Sequence, residues 1–191
     1  MIKKEFISIL CCPKCKSNFL YENNKLICRG CNNIYSFFDE IPVLLNSMSA
    51  DVKLSQEKWD KDYKKKFDKK KMVSLKKAYE VTYADSELKH LTKAFGSFKN
   101  KKYLEIGSGT FFVGQKLAKL GSFVVGIDYS LNALRLSKAY LEEEGISDYL
   151  LVCGDITNMP FKNNVFDLLY GGGVIEHFKD TGGVVKEIHR V

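Results

Sequence analysis

Hydrophobic and polar positions give the 191-residue chain two different rhythms. From Lys101 onward, short apolar runs alternate with amphipathic stretches. Tyr103–Ile106 reads as a strand, Phe112–Leu120 as a helix stopped by Gly121, and Phe123–Ile127 as a second strand ending at Asp128. Ser130 is placed to cap a helix that runs to about Glu144 and ends at Gly145. Tyr149–Cys153 is the third strand, Phe166–Tyr170 the fourth, and another helix starts near Thr181. Apolar strands joined to helices by short connections predict an α/β fold with a parallel, doubly wound sheet. Before this region the rhythm is shorter. Asn18–Tyr21, Lys25–Cys28 and Asn33–Phe38 are strand-like pieces between polar turns, and the apolar run Ile41–Leu45 closes them off.

Between the two lies a polar stretch from Asn46 to about Ser55, which reads as a linker, and then a helical segment to about residue 99. Trp59, Tyr63 and Phe67 recur every four residues, which sets them on one helix face. Ser86 is a plausible N-cap for a second helix ending at Gly96. The expected organisation is therefore 1–46, 47–99 and 100–191.

Charge sharpens this division. Residues 1–50 carry six basic and four acidic side chains, 51–102 sixteen and eight, and 103–191 eight and eleven. The basic excess sits in the middle, with lysine at eight of the fourteen positions Lys58–Lys71. Such a surface attracts nucleic acid or another polyanion; the plainer alternative is a solvated helix face. No run approaches the ~18 apolar residues of a membrane span, and the N-terminus shows no secretory signal, so a cytoplasmic location is expected.

Five of six cysteines fall within the first 31 residues. In a reducing compartment that clustering reads as a metal site. Cys12-Pro-Lys-Cys15 and Cys28-Arg-Gly-Cys31 each place two thiolates on one tight turn, and two such turns complete a tetrahedral sulfur site. Zinc is the expected ion, with iron its chemical competitor. Four thiolates leave no position open for water, so the site is expected to be structural. Cys11 competes with Cys12 on composition, but only Cys12 has the two-residue spacing to Cys15. Cys153 reads as a small buried residue.

With Phe6-Ile-Ser-Ile-Leu10 before the first knuckle and Tyr35–Leu45 after the second, residues 5–46 resemble bacterial zinc-ribbon proteins related to the tRNA-methyltransferase activator subunit. Their ending reads like YPI-x-DGIPVLL, with Glu40 here in place of the usual glycine. The resemblance implies a small β-rich ribbon that supports or activates a methyltransferase.

The α/β region carries its own chemistry. Glu105-Ile-Gly107-Ser-Gly109 ends the first strand, Asp128 the second and Gly154-Asp155 the third. In dinucleotide-binding proteins a third glycine lets the helix approach a pyrophosphate; here Phe112 holds that position. A carboxylate at Glu105 would repel a pyrophosphate and favour a cation. Asp128 is placed to accept ribose hydroxyls and Asp155 an adenine amino group, although each also reads as an ordinary loop aspartate.

Together Glu105–Gly109, Gly126–Asp128, Gly154–Phe161 and Phe166–His177 resemble the class I S-adenosylmethionine-dependent methyltransferases, over residues 100–191. That resemblance implies a Rossmann-like methyltransferase sheet, here its first four strands only. It places Glu105, Gly107 and Gly109 around the methionine moiety, Asp128 at the ribose, and Asp155 with Ile156 at the adenine. Ser108, Tyr129 and Gly172 complete the expected cofactor set. Gly171-Gly172-Gly173 departs from relatives that carry side chains there, and implies flexibility or close backbone approach. His177 is the candidate base, with helix-start packing as its alternative role. Methyl transfer needs little beyond in-line positioning, so no catalytic residue is required.

Relatives continue past the equivalent of Val191 with further strands. The chain is therefore expected to be C-terminally incomplete, its fourth strand an open edge or covered by a partner chain. The expected function is methyl transfer from S-adenosylmethionine to a small molecule or biosynthetic intermediate. The alternatives are RNA base methylation, with the ribbon and Lys64–Lys66 docking the RNA, and a non-catalytic cofactor-binding module.

Overall fold

A computed structural model describes residues 3–46, 50–66, 78 and 80–191. Helix α1 (Lys4–Ile9) precedes four antiparallel strands, β1 (Phe19–Glu22), β2 (Lys25–Cys28), β3 (Ile34–Phe38) and β4 (Ile41–Leu44). Helix α2 (Ala50–Lys66) follows. A π-helical turn, Glu80–Ala84, then runs directly into α3 (Asp85–Phe95). The alternating region gives β5 (Lys102–Ile106), α4 (Phe112–Lys119), β6 (Phe123–Asp128), α5 (Leu131–Glu143), β7 (Tyr149–Gly154), β8 (Leu168–Tyr170) and α6 (Thr181–Arg190). No helix among the described residues is long and apolar enough to cross a membrane.

The strands form one mixed sheet in the order β1-β2-β3-β4-β7-β6-β5-β8. β4 is its pivot. It pairs antiparallel with β3, and parallel with β7 through Val43–Cys153 and Leu44–Gly154. The sheet therefore runs without a break from the cysteine-rich segment into the α/β segment. Among the described residues β8 pairs only with β5, leaving its other edge unpaired.

The period of two along each strand builds the core. Leu104, Ile106, Val125, Ile127, Leu150 and Val152 face one side of the sheet, where they join Phe6, Ile9 and Leu10 and, from α6, Val184. Tyr103, Val124, Leu151 and Cys153 face the other side, packed with Leu91 of α3, Phe112 and Leu117 of α4, and Leu134 and Tyr140 of α5. Burial on both faces is why these strands read as nearly continuous apolar runs.

Several local readings need correction. Ser86 is not a cap, because the π-helical turn continues into α3 and leaves no free first turn there. The stretch read as linker becomes helical at Ala50, with residues 47–49 outside the described residues. Phe67 and Lys69–Lys71 also lie outside the described residues. Ser130 does cap α5, its side chain accepting from the Ala133 N–H at 3.1 Å.

Candidate functional site

In parallel sheets ligands gather at the carboxyl ends of the strands, and there the chain places its chemistry in a row. Gly154–Asp155 ends β7, Asp128 ends β6, Glu105 lies in β5 before the Gly107–Gly109 turn, and Gly171–Gly173 follows β8. Glu105, Gly107, Ser108, Gly109 and Gly172 line a single cleft of about 100 Å³. Tyr63, Tyr83, Ile106, Thr110, Phe112, Val113 and Tyr170 complete its walls.

Asp128 is buried and staples two turns together. One carboxylate oxygen accepts from the Gly109 N–H at 2.9 Å, the other from the Ser130 N–H at 2.8 Å. Gly109 holds φ +51, a conformation that favours glycine, and a Cβ there would push against the Tyr63 hydroxyl. Burial pushes the Asp128 carboxyl up to about 6, against the pull of the backbone N–H donors. Beside it, α2 lies across the β6 end. Gln56 donates to the Tyr129 carbonyl at 2.9 Å, and Asp60 accepts from Ser130 Oγ and from the Asn132 side chain at 2.9 and 2.7 Å.

Glu105 is also buried, accepting from Tyr103 Oη at 2.9 Å and from the Gly114 N–H at 2.8 Å. Burial dominates and lifts its carboxyl from an ordinary 4.5 to about 8. The folded state therefore holds this proton more tightly than the unfolded chain. That contribution to stability is complete below about pH 4.5 and is lost as pH rises through about 8. Asp128 adds the same sign between 3.8 and about 6. The melting temperature of the ligand-free chain is expected to fall from pH 5 to pH 8, and Glu105→Gln to flatten much of that slope. An unchanged slope in scanning calorimetry would contradict the buried, protonated Glu105.

Ser108 Oγ is buried without a hydrogen-bond partner among the described residues, an orphaned donor in the Gly107–Gly109 turn. Asp155 caps a one-turn helix, Ile156–Asn158, accepting from the N–H and hydroxyl of Thr157, both at 2.8 Å. Ile156 is buried beneath it. His177 is exposed in the turn Ile175–His177, outside the residues that line the cleft.

In the triple glycine after β8, Gly171 packs on Ile106 and Gly172 on two tyrosines. A Cβ on Gly172 would strike the Tyr83 and Tyr170 hydroxyls, which lie 2.7 Å apart. Tyr170 Oη donates onward to Glu87 at 2.8 Å. Nothing in the local pattern marks Tyr83, Tyr170 or Glu87, because they converge from the π-helical turn, β8 and α3. Tyr63 did leave a trace, as a member of the aromatic stripe on α2; its ring lies 6.4 Å from that of Trp59. Lys58, Lys61, Lys64 and Lys65 of that helix are exposed.

The second cluster is Cys12, Cys15, Cys28 and Cys31, whose sulfurs all lie within 4.8 Å of one another. Cys12–Cys31 and Cys15–Cys28 are 3.7 and 3.3 Å apart. A tetrahedron with metal–sulfur distances of about 2.3 Å has edges of roughly 3.8 Å, so the set fits a tetrahedral ion. The N–H groups of Gly30 and Cys31 point at Cys28 Sγ, both at 3.4 Å, as suits a thiolate. Cys11 stands apart from the cluster. Its buried thiol donates to the Phe161 carbonyl at 3.0 Å, and burial raises its pKa.

Residues 104–191 match the family model described as "Methyltransferase domain". The structure of magnesium protoporphyrin IX methyltransferase from Synechocystis PCC 6803, with bound S-adenosylmethionine, superposes with a TM-score of 0.57. It is 16% identical, and the match covers 75% of this chain and 72% of that one. The fold is that of a methyltransferase. A methyltransferase from Aquifex aeolicus matches at TM-score 0.52 and 18% identity, over 65% of this chain and 67% of its own. In sequence, a sterol 24-C-methyltransferase of Gibberella zeae is 33% identical over 104 residues, 53% of this chain and 27% of that protein. A demethylmenaquinone methyltransferase of Streptomyces avermitilis is 29% identical over 103 residues, 54% and 42% respectively. The chain thus spans less than half the length of these two relatives.

Proposed function

We propose that this chain binds S-adenosylmethionine along the carboxyl ends of β5, β6 and β7 and serves methyl transfer to a small-molecule acceptor. The observation that carries this reading is the pair of buried carboxyl groups, Glu105 and Asp128, on neighbouring strands either side of the Gly107–Gly109 turn. Glu105, Gly107, Ser108 and Gly109 take the methionine end, Asp128 and Tyr129 the ribose, and Asp155 with Ile156 the adenine. The residues fit such a ligand. Ser108 Oγ is an unused donor, and the aromatic rings of Tyr63, Tyr83, Tyr170 and Phe112 line the cleft, a setting that favours a cation over a phosphate.

When bound, S-adenosylmethionine supplies a methyl group on an electrophilic sulfonium. The protein's part is placement: Tyr63 of α2 lines the cleft, and the two turns stapled by Asp128 hold its floor. The acceptor enters on the β8 side, beside Gly172 and the Tyr83–Tyr170 hydroxyls. Small apolar acceptors are favoured by the sterol and demethylmenaquinone methyltransferases among the relatives. The four cysteines hold a zinc ion with no open coordination position, which makes it a folding element, not a reactant.

Titration calorimetry with S-adenosylhomocysteine tests the reading. One site per chain with micromolar affinity is expected. No binding by the folded, zinc-loaded protein would overturn it. The fold leaves a second reading, cofactor binding without methyl transfer, because one similar structure is a [4+2]-cyclase. That reading is favoured by tight binding of S-adenosylhomocysteine with no methyl transfer to sterol, quinol or phenol acceptors.

A further inference from the structure

The adenine loop and the first cysteine knuckle are joined by hydrogen bonds that neither the cofactor reading nor the zinc reading requires. We infer that Lys16 and Asn158 are positioning residues that tie this knuckle to the loop proposed to hold the adenine, so that metal occupancy and cofactor affinity are linked. The inference rests on the adenine and zinc assignments proposed above.

The segment Asp155–Phe161 leaves β7, makes one helical turn and then runs extended, with a backbone that must find partners elsewhere. Those partners come from the N-terminal segment. The Asn158 side chain donates to the Pro13 carbonyl at 2.6 Å and accepts from Lys16 Nζ at 2.5 Å, so both ends of one amide grip the knuckle. Lys16 Nζ also donates to the Met159 carbonyl at 2.9 Å and pairs with Glu187 of α6 at 3.2 Å. The Cys11 N–H takes the Pro160 carbonyl at 2.9 Å, the Cys11 thiol takes the Phe161 carbonyl, and the Lys162 N–H returns to the Ile9 carbonyl at 3.0 Å. Arg190 closes the far side, donating to the Met159 and Phe161 carbonyls at 3.0 and 2.7 Å.

Pro13 lies between two metal-ligating cysteines, and Lys16 directly follows the second. The Lys16 N–H closes the knuckle on the Cys12 carbonyl at 2.7 Å, and Lys16 holds φ +59, a conformation uncommon for a side-chain-bearing residue. An ion bound to Cys12 and Cys15 fixes that turn, and with it the direction of the Pro13 carbonyl and the Lys16 side chain. Without the ion the turn loses its main constraint, and the loop that presents Asp155 loses two of its anchors. Linkage makes the effect reciprocal: whatever the metal adds to cofactor affinity, the cofactor adds to metal affinity.

The test uses the full chain and S-adenosylhomocysteine as the probe. Lys16→Ala and Asn158→Ala remove side chains that bond to none of the four cysteines and leave the Lys16 N–H in place, and each is expected to keep one zinc per chain while weakening S-adenosylhomocysteine about tenfold, within the usual range of coupling between sites. Lys16→Arg is expected to restore most of the affinity. In the unsubstituted protein, saturating S-adenosylhomocysteine is expected to slow extraction of zinc by a chelator, and this protection is expected to be lost in Asn158→Ala. Wild-type affinity in both alanine variants, or zinc extraction indifferent to S-adenosylhomocysteine, would overturn the inference while leaving both binding sites standing. A parent chain that binds no zinc or no S-adenosylhomocysteine would instead overturn the proposed function, and this inference with it.

Discussion

Replacing Cys28 by serine is expected to abolish metal binding and to lower the melting temperature by roughly 10 °C or more. Strands β1–β3 span only residues 19–38, and the buried apolar groups around them are few: Phe19, Leu26, Cys28 and Tyr35. A module of that size does not bury enough surface to offset its chain entropy. A structural zinc ion contributes on the order of 10 kcal/mol, which rivals the ~5–15 kcal/mol total stability of a folded protein. Because β4 joins this segment to β7, the loss is not confined to the N-terminus. At about 2–4 °C per kcal/mol for a protein of this size, even part of it is a large shift. Metal analysis and calorimetry on Cys28→Ser decide the matter. Retained zinc with an unshifted melt would rule out the four-cysteine site.

Asp128→Ala should cost about a hundredfold in affinity for S-adenosylhomocysteine. The substitution removes the proposed ribose acceptor and strands two backbone donors, the N–H groups of Gly109 and Ser130. A hydrogen bond to a charged acceptor is worth about 1.5–3 kcal/mol, and each stranded buried donor costs about 1–3 kcal/mol more. The two costs are separable. The donors of Gly109 and Ser130 bear on stability, whereas the ribose contact bears on affinity. Asp128→Asn keeps one acceptor oxygen and should soften the stability loss more than the affinity loss. Unchanged affinity in a folded Asp128→Ala protein would remove Asp128 from the site.

The strands of the α/β region were legible because burial on both faces writes itself as apolar runs, and the helix between Ser130 and Gly145 because its cap and stop are chemical. The row of Glu105, Asp128 and Asp155 could be read because each sits at a strand end. Other features left no local mark. Ile41–Leu44 has the same apolar look whether it closes a small ribbon or also pairs with a distant parallel strand. Helix α1 is only six residues long, too short for its periodicity to register. Tyr83, Glu87 and Tyr170 meet only in three dimensions, and the role of Cys11 was hidden because its partner, the Phe161 carbonyl, lies far along the chain.

The parallel pairing of β4 with β7 also fixes an order of events during synthesis. Strands β1–β3 pair with near neighbours in sequence and, once the ion is bound, can form early, but β4 offers β7 an edge that does not yet exist. Val43 must wait for Cys153, so β4 is made long before its parallel partner. Contacts of such long sequence separation are slow to form, and the waiting strand exposes an open row of N–H and C=O groups throughout. Until β7 is made, the β4 edge stays open, and in that interval the nascent segment is most open to association with other chains.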